Sequence, residues 1–350
     1  MAGFVAVHTG AGNCSDDARY QRVIKEACMR GCQVFRNGGS ALDACEEAIK
    51  CLENSGNTNA GYGSNLTWDG TVECDASIMD GSTLLFGSCT NVSLVKNPIS
   101  LARIICERQS RMLALERIPP MSMAGDGATK YAQEVGCIML EKDQLISGRA
   151  QRLHNHYKEK VARFEDINKI QINYLDTVGA ICVDANGNTA AGCSSGGLVL
   201  KVSGRIGQAA TYGAGCWAQN SPDISVSTCT TGNGEYLMKT FLAKEVSQDL
   251  MSNSSHDCPA TILHKTFKDK FLESPFVPQG RELYGGALSL VYYPKTYNGE
   301  VLWSHTTRSL CVGYMSTFQR NPKFVNSTLP SYSKPGESIV VNGQNFKLPI

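Results

Sequence analysis

At 350 residues, 42% of them hydrophobic and 19% charged, the chain has apolar material for one large core or two average ones. A net charge of +1 excludes the global field that draws a protein to nucleic acid or an anionic membrane. No apolar run approaches the roughly 18 residues of a membrane span, and Met1 to His8 lacks the regions of a signal peptide.

Phe4 to Thr9 alternates as a short strand and runs into Gly10-Ala11-Gly12. A cap at Ser15 or Asp16 predicts a helix to about Phe35, stopped by Asn37-Gly38-Gly39. Ser40 and Asp43 form a capping-box pair, and Ala41, Leu42, Ala44, Cys45, Ile49 and Leu52 give the next helix an apolar face to about Asn54. The glycine-rich loop Asn59 to Asn65 lacks the spacing of a nucleotide signature. Strands are predicted over Val72–Met79 and Leu84–Val95. A helix opened by Pro98 runs to about Arg108, and a strand-turn-helix covers Met123 to Gly136. Glu141 to Asn173 is polar, with Arg149, Arg152, Lys158, Lys160 and Arg163, and reads as an exposed loop or loose helix where a nick is tolerated. Nuclear entry is an alternative role for those cations.

Beyond that stretch the pattern turns to strands. Val178–Asp184, Asn186-Gly187 and Thr189–Ser194 read as a hairpin, and Ser225–Thr231 as a further strand. Helices are expected from Gly234 to about Leu250 and near Ala260–Leu272. Strands follow at Gly286–Tyr293 and, after an Asn298-Gly299 turn, over Val301–Met315. No repeat or linker divides the chain, so antiparallel sheet between helical layers with one shared core is predicted. The fifteen cysteines are odd in number and contain no Cys-x-x-Cys, which favours buried thiols in a reducing compartment, cytoplasmic or nuclear. Four Asn-x-Ser/Thr matches, among them Asn253-Ser254-Ser255, are then incidental.

The common nucleophile signatures are missing. Cys216, in Gly213-Ala214-Gly215-Cys216-Trp217, is one candidate nucleophile; Thr177 is the other. Thr177 follows the polar stretch and opens a buried strand, so it is either an ordinary strand residue or the residue exposed by a cut at Asp176–Thr177. A cut would give it a free α-amine with a pKa near 7.7–8.0, able to accept the proton of its own hydroxyl.

A resemblance decides between these. His8-Thr9-Gly10-Ala11-Gly12, Asn59-Ala60-Gly61, Asp75 to Gly81 and Asn97-Pro98 resemble the first half of the asparaginase-type N-terminal-nucleophile (Ntn) hydrolases. Asp176 to Ala180, Ser194-Ser195-Gly196-Gly197, Gly204 to Gly207 and Gly232-Asn233-Gly234-Glu235 resemble the second half, in the family's order. The resemblance implies an α+β fold, a four-layer αββα sandwich, as a single domain cut into 1–176 and 177–350. It implies Thr177 as nucleophile, Ser195 as its orienting hydroxyl, and Thr231 with the Gly232 N–H as oxyanion hole. Arg205 is implied as holder of a substrate carboxylate, and Gly10, Asn59 and Gly234 line the same site. No metal and no organic cofactor are implied, and αβ units are expected to self-associate.

Three departures from the asparaginase pattern narrow the expectation. Asp176 stands before the nucleophile where glycine is usual, and Ser195 where threonine is usual. Gln208 replaces the acid that binds a substrate's α-ammonium. An enzyme cutting after aspartate attacks the α-carbonyl, so its substrate offers Gln208 a neutral amide, and an acid there would be desolvated without a cation. With Trp303 to Thr307 and Cys311 to Met315, these features resemble the threonine-aspartase (taspase) branch. That implies an endopeptidase for protein substrates with aspartate at the cut, nuclear transcription regulators among them. The alternative is an L-asparaginase or isoaspartyl dipeptidase.

Overall fold

The computed structural model describes residues 1–12, 17–163, 176–253 and 257–348. The predicted cap at Ser15 or Asp16, part of the Asn253-Ser254-Ser255 match and the end of the polar stretch (164–173) lie outside them.

Strand β1 (Gly3–Gly12) is followed by helices α1 (Asp17–Arg36) and α2 (Ala41–Glu53). In α1, Ile24, Cys28, Cys32 and Phe35 recur every three or four residues and are fully buried, so one face is apolar. The Ser40–Asp43 capping box that opens α2 is formed in both directions. Strands β2 (Cys74–Asp80) and β3 (Phe86–Val92) precede α3 (Pro98–Arg108), β4 (Ser122–Ala124), α4 (Gly125–Glu134) and α5 (Gly148–Ala162).

The second half contains β5 (Val178–Asp184), β6 (Thr189–Ser195), β7 (Cys216–Asn220) and β8 (Ser225–Gly232). Helices α6 (Gly234–Thr240), α7 (Leu242–Asn253) and α8 (Pro259–Thr266) follow. Strands β9 (Gly285–Tyr293), β10 (Asn298–His305), β11 (Ser309–Ser316), β12 (Lys323–Thr328) and β13 (Val340–Lys347) complete the fold.

The strands make two sheets, ordered β12-β11-β1-β5-β6-β2-β3-β4 and β13-β10-β9-β8-β7. Three separate apolar clusters fill the spaces between layers. One joins Val5 and Val7 to Ile24, Cys45, Leu52 and Ile99 of the first three helices. A second joins Phe4, Ala6 and Ile181 to Leu288, Leu290 and Trp303, sheet against sheet. The third joins Val226, Val291 and Leu302 to Val246, Leu263 and Phe267 beneath α7 and α8. Alternate residues of β1 serve the first and second clusters, so both faces of that strand are buried. This is the four-layer αββα sandwich.

Several expectations are corrected. The helix from Gly234 is broken by Phe241, which takes a left-handed conformation (φ 47°) between α6 and α7. Asn298-Gly299 lies inside β10; the turn falls before it, where Tyr297 has φ 58°. Val301–Met315 is two strands in different sheets, β10 and β11. The polar stretch contains α5, anchored by the Ser147 hydroxyl accepting from the Ala150 N–H. Lys158 of α5 sits 4.0 Å over the Trp68 ring, so its cations are partly engaged. Among the described residues no helix is long and apolar enough to cross a membrane.

Candidate active site

Thr177 immediately precedes β5, which lies between β1 and β6 with Val178 opposite Ser194 and Gly179 opposite His8. The sheet thereby brings the start of β5 to the end of β6, where Ser195 stands. The Thr177 hydroxyl donates to Ser195 Oγ at 3.2 Å and accepts from Gln208 Nε2 at 2.8 Å. Both of its hydrogen-bonding directions are therefore fixed before any cut. Ser195 Oγ also accepts from the Gly197 N–H at 3.0 Å. Asn59 braces that loop: its Nδ2 donates to the Gly197 carbonyl at 2.7 Å while its Oδ1 accepts from the Asn65 N–H at 2.8 Å.

From the other sheet come Thr231 and Gly232, at the end of β8. The Thr231 hydroxyl accepts from the Ala11 N–H at 3.3 Å, and Ala11 follows the β1 bulge that contains Gly10. Gly232 holds φ at 141°, and a Cβ there would meet the Tyr284 carbonyl oxygen at 2.4 Å, so only glycine fits. Gly234 leaves space of another kind: a Cβ there would stand 2.8 Å from Gln208 Oε1 and 3.1 Å from Arg205 Nη2. Arg205 is held by Glu235, its Nε and Nη2 donating to the two carboxylate oxygens at 2.8 and 2.9 Å.

Asn59, Asp176, Thr177, Ser195, Arg205, Gln208 and Gly232 line one cavity of about 20 Å³. That volume admits about one water molecule and no substrate. Gly10 contributes through the bulge and its tie to Thr231, and Gly234 through the room it leaves Arg205 and Gln208.

Four supporting residues escaped the sequence reading. Asp75, fully buried, accepts from the N–H groups of Gly207 and Asn91 at 2.8 and 2.9 Å and so fixes the loop that carries Arg205 and Gln208. Glu235 orients Arg205. Glu53 accepts from Ser194 Oγ, Asn97 Nδ2 and the Ile99 N–H at 2.7, 3.0 and 3.0 Å, tying the strand of Ser195 to α2 and α3; burial raises its carboxyl to about 7. Arg149 lies 3.9 Å from the Asp176 carboxylate. A carboxylate inside an otherwise apolar strand was the legible signal for Asp75; the other three depend on contacts distant in sequence.

Cys216 is fully buried and does not line that cavity, and burial raises its thiol well above the usual range, all of which argues against a nucleophile. The ligand-capable atoms of His8, Cys193 and Cys229 lie within 4.8 Å of one another, beneath Gly179. Burial, partly offset by the Thr177 backbone, pushes His8 down to about 3, and burial raises Cys229, so these two favour their neutral forms in the core.

Asp176 is itself buried, and burial raises its carboxyl from 3.8 to about 6 although Arg149 and the Tyr20 hydroxyl favour the charge. Between about pH 4 and 6 the folded chain therefore keeps a proton that the unfolded chain has released, so stability falls as pH rises through that window. The cost at neutral pH is on the order of 3 kcal/mol. A Thr177→Ala chain is accordingly expected to lose more stability between pH 4.5 and 7 than the Asp176→Asn, Thr177→Ala chain does. Urea titrations across that range measure this, and equal pH slopes in the two proteins would refute it.

A sequence model of the asparaginase family matches residues 1–271. Over 258 residues the chain is 36% identical to the isoaspartyl peptidase/L-asparaginase of Xenopus laevis, covering 73% of this chain and 78% of that one. The human protein of that name is 38% identical over 249 residues, 70% of this chain and 75% of its own. An isoaspartyl peptidase of Salmonella typhimurium is 34% identical over 261 residues, 69% and 77% of the two chains. The chain belongs to the asparaginase family. It is thus a hydrolase of the Ntn type, and its fold is that expected of the family. The names of these relatives agree with the isoaspartyl peptidase/L-asparaginase alternative and not with the threonine-aspartase branch. Residues 272–350, which supply β9 to β13, lie beyond the family match.

Proposed function

We propose that this asparaginase-family hydrolase is a threonine endopeptidase that cuts after aspartate, and that its first substrate is its own Asp176–Thr177 bond. Thr177 Oγ attacks the Asp176 carbonyl carbon, the C–N bond breaks, and the proton passes to the released amine. Water hydrolyses the resulting ester, leaving Thr177 with a free α-amine. In later turnovers that amine takes the hydroxyl proton, Ser195 and Gln208 hold the hydroxyl, and Thr231 with the Gly232 N–H faces the oxyanion. Arg205 holds the substrate's aspartate carboxylate, for which a planar guanidinium suits better than an ammonium.

The observation that carries this reading is Gln208, a neutral side chain 2.8 Å from the nucleophile where the asparaginase pattern has an acid for the α-ammonium. Of the other carboxylates at the site, Asp75 is committed to two backbone N–H groups, Glu235 to Arg205 and, in the uncut chain, Asp176 to Arg149. A free amino acid would bring an ammonium with no charge to meet it, whereas a peptide amide fits the glutamine. Protein substrates with an exposed aspartate, nuclear transcription regulators among them, follow from this reading, as does assembly of αβ units.

The second reading, an isoaspartyl peptidase/L-asparaginase, is favoured by the names of the relatives. Kinetics on an internal Asp–Gly peptide, an isoaspartyl dipeptide and asparagine separate the two. The endopeptidase reading expects kcat/KM at least about 100-fold higher on the internal peptide, the scale of about 3 kcal/mol for an uncompensated charge. Turnover confined to the dipeptide or to asparagine would sink it.

A further inference from the structure

We propose that the chain uses two different arginines for the two aspartates it must recognise: Arg149 for its own Asp176, and Arg205 for the aspartate of a separate substrate. The inference rests on the endopeptidase reading and assigns a role in self-processing to a residue outside the catalytic set.

Asp176 and Arg205 border the same small cavity, yet they are not partners. Among the described residues, the ion-pair partner of Asp176 is Arg149, with Nη2 3.9 Å from Oδ2. The Tyr20 hydroxyl donates to that same oxygen at 3.5 Å. The Asp176 side chain is 7% exposed and that of Arg149 24%, so the pair is shielded from bulk water and weakly screened. Arg149 stands in the first turn of α5, whose start is pinned by Ser147, and Tyr20 stands on α1. Two elements of the first half thus grip the residue whose carbonyl is to be attacked. A fixed carboxylate restricts rotation of the Asp176 side chain and holds the scissile bond against the nucleophile.

Arg205 is arranged for a different approach. Glu235 occupies its Nε–Nη2 edge at 2.8 and 2.9 Å. The remaining nitrogen, Nη1, lies over Gly197 and Gly207, 3.2 and 3.5 Å from where their Cβ atoms would be. Both glycines line the cavity, so the uncommitted edge of the guanidinium lies over their bare backbone, with the Lys201 and Asp75 side chains close by. A carboxylate entering from outside can meet that edge once the 176 end has left. In the intact chain Asp176 is tethered to Thr177 and already paired with Arg149 and Tyr20. Intramolecular and intermolecular cleavage therefore depend on separate cations, and Arg149 acts as a positioning residue for the first alone.

The experiment uses full-length chains from cell-free synthesis: parent, Arg149→Ala, Arg149→Lys, Tyr20→Phe and Arg205→Ala. Mass spectrometry follows the appearance of the 177–350 fragment, and the processed fraction of each is assayed on an internal Asp–Gly peptide. Arg149→Ala is expected to slow the self-cut at least about tenfold, a size typical of losing one positioning charge. Arg149→Lys should recover part of that rate and Tyr20→Phe should slow it severalfold. Processed Arg149→Ala enzyme should keep kcat/KM and KM within about threefold of the parent, which a general folding defect would not allow. Arg205→Ala should cut itself within about threefold of the parental rate while losing about 100-fold or more in kcat/KM on the peptide.

Self-cutting of Arg149→Ala at the parental rate overturns the proposal and leaves the endopeptidase reading standing. So does an Arg205→Ala chain that stays whole. Equal losses of self-cutting and peptide turnover in Arg149→Ala overturn it as well, by showing a structural role. A parent chain that never cuts itself overturns the endopeptidase reading and this proposal with it.

Discussion

Freshly made Thr177→Ala protein is expected to remain a single 37.8 kDa chain on prolonged incubation and to show no peptide hydrolysis above about 10⁻⁴ of the parental rate. Alanine removes the oxygen proposed to attack the Asp176 carbonyl, so the ester with Thr177 cannot form. Without the cut there is also no α-amine to serve as base, and one substitution therefore removes two functions. Ser195 lies 3.2 Å from the missing hydroxyl, but its own oxygen is held by the Gly197 N–H and its position in β6 is fixed by pairing with Asp75. It is not expected to take over. Intact-mass measurement and a peptide assay check both parts. Fragments ending at residue 176 in that variant would show that another group makes the cut.

Gly232→Ala is expected to lower kcat by about 10²–10³-fold, the usual cost of losing one oxyanion donor. The added methyl would stand 2.4 Å from the Tyr284 carbonyl oxygen and 2.8 Å from Gly285 Cα. Neither contact is with a flexible side-chain end, so the β8 backbone must shift, in a φ region that alanine avoids. The shift displaces the Gly232 N–H and the neighbouring Thr231 hydroxyl together. A steady-state assay read beside a thermal melt distinguishes this from unfolding: the melt should drop while a folded population remains, with KM changed less than kcat. Unaltered kcat in folded Gly232→Ala would remove Gly232 from the oxyanion site.

Much of the site was legible because its residues sit at turns and strand ends, where glycine and polar residues break a pattern. Thr177, Ser195, Arg205, Gln208 and Gly232 all lie at such junctions, and the fold draws them to one cavity. Secondary structure was readable where periodicity and punctuation agreed, as in α1, α2, α3 and the β5–β6 hairpin. It failed where they did not. The passage from β10 to β11 contains His305-Thr306-Thr307-Arg308, with no glycine or proline, so two strands of different sheets read as one. Phe241 breaks a helix without any breaker residue, and Asn298-Gly299 offers a turn that β10 absorbs into its ladder. Arg149 was read as one cation of a solvated stretch, because its partner is 27 positions away and the contact exists only once α5 packs. Glu53 was hidden in the same way, as a polar residue at the end of an amphipathic helix.

The strand order of the larger sheet bears on what a cut at Asp176–Thr177 leaves behind. β1 lies between β11 and β5, and β6 pairs with β2, so three ladders of that sheet join a segment from before the bond to one from after it. No plane through the molecule separates the two pieces. They could be parted only by unraveling the sheet from its middle, so the nicked protein should purify as one particle and melt as one. The first two apolar clusters are built from both pieces and the third from the second piece alone, so either piece by itself would expose strand edges and apolar faces that the other now covers. In the proposed scheme the cut therefore comes after assembly: the bond to be broken joins two segments that the sheet has already interleaved.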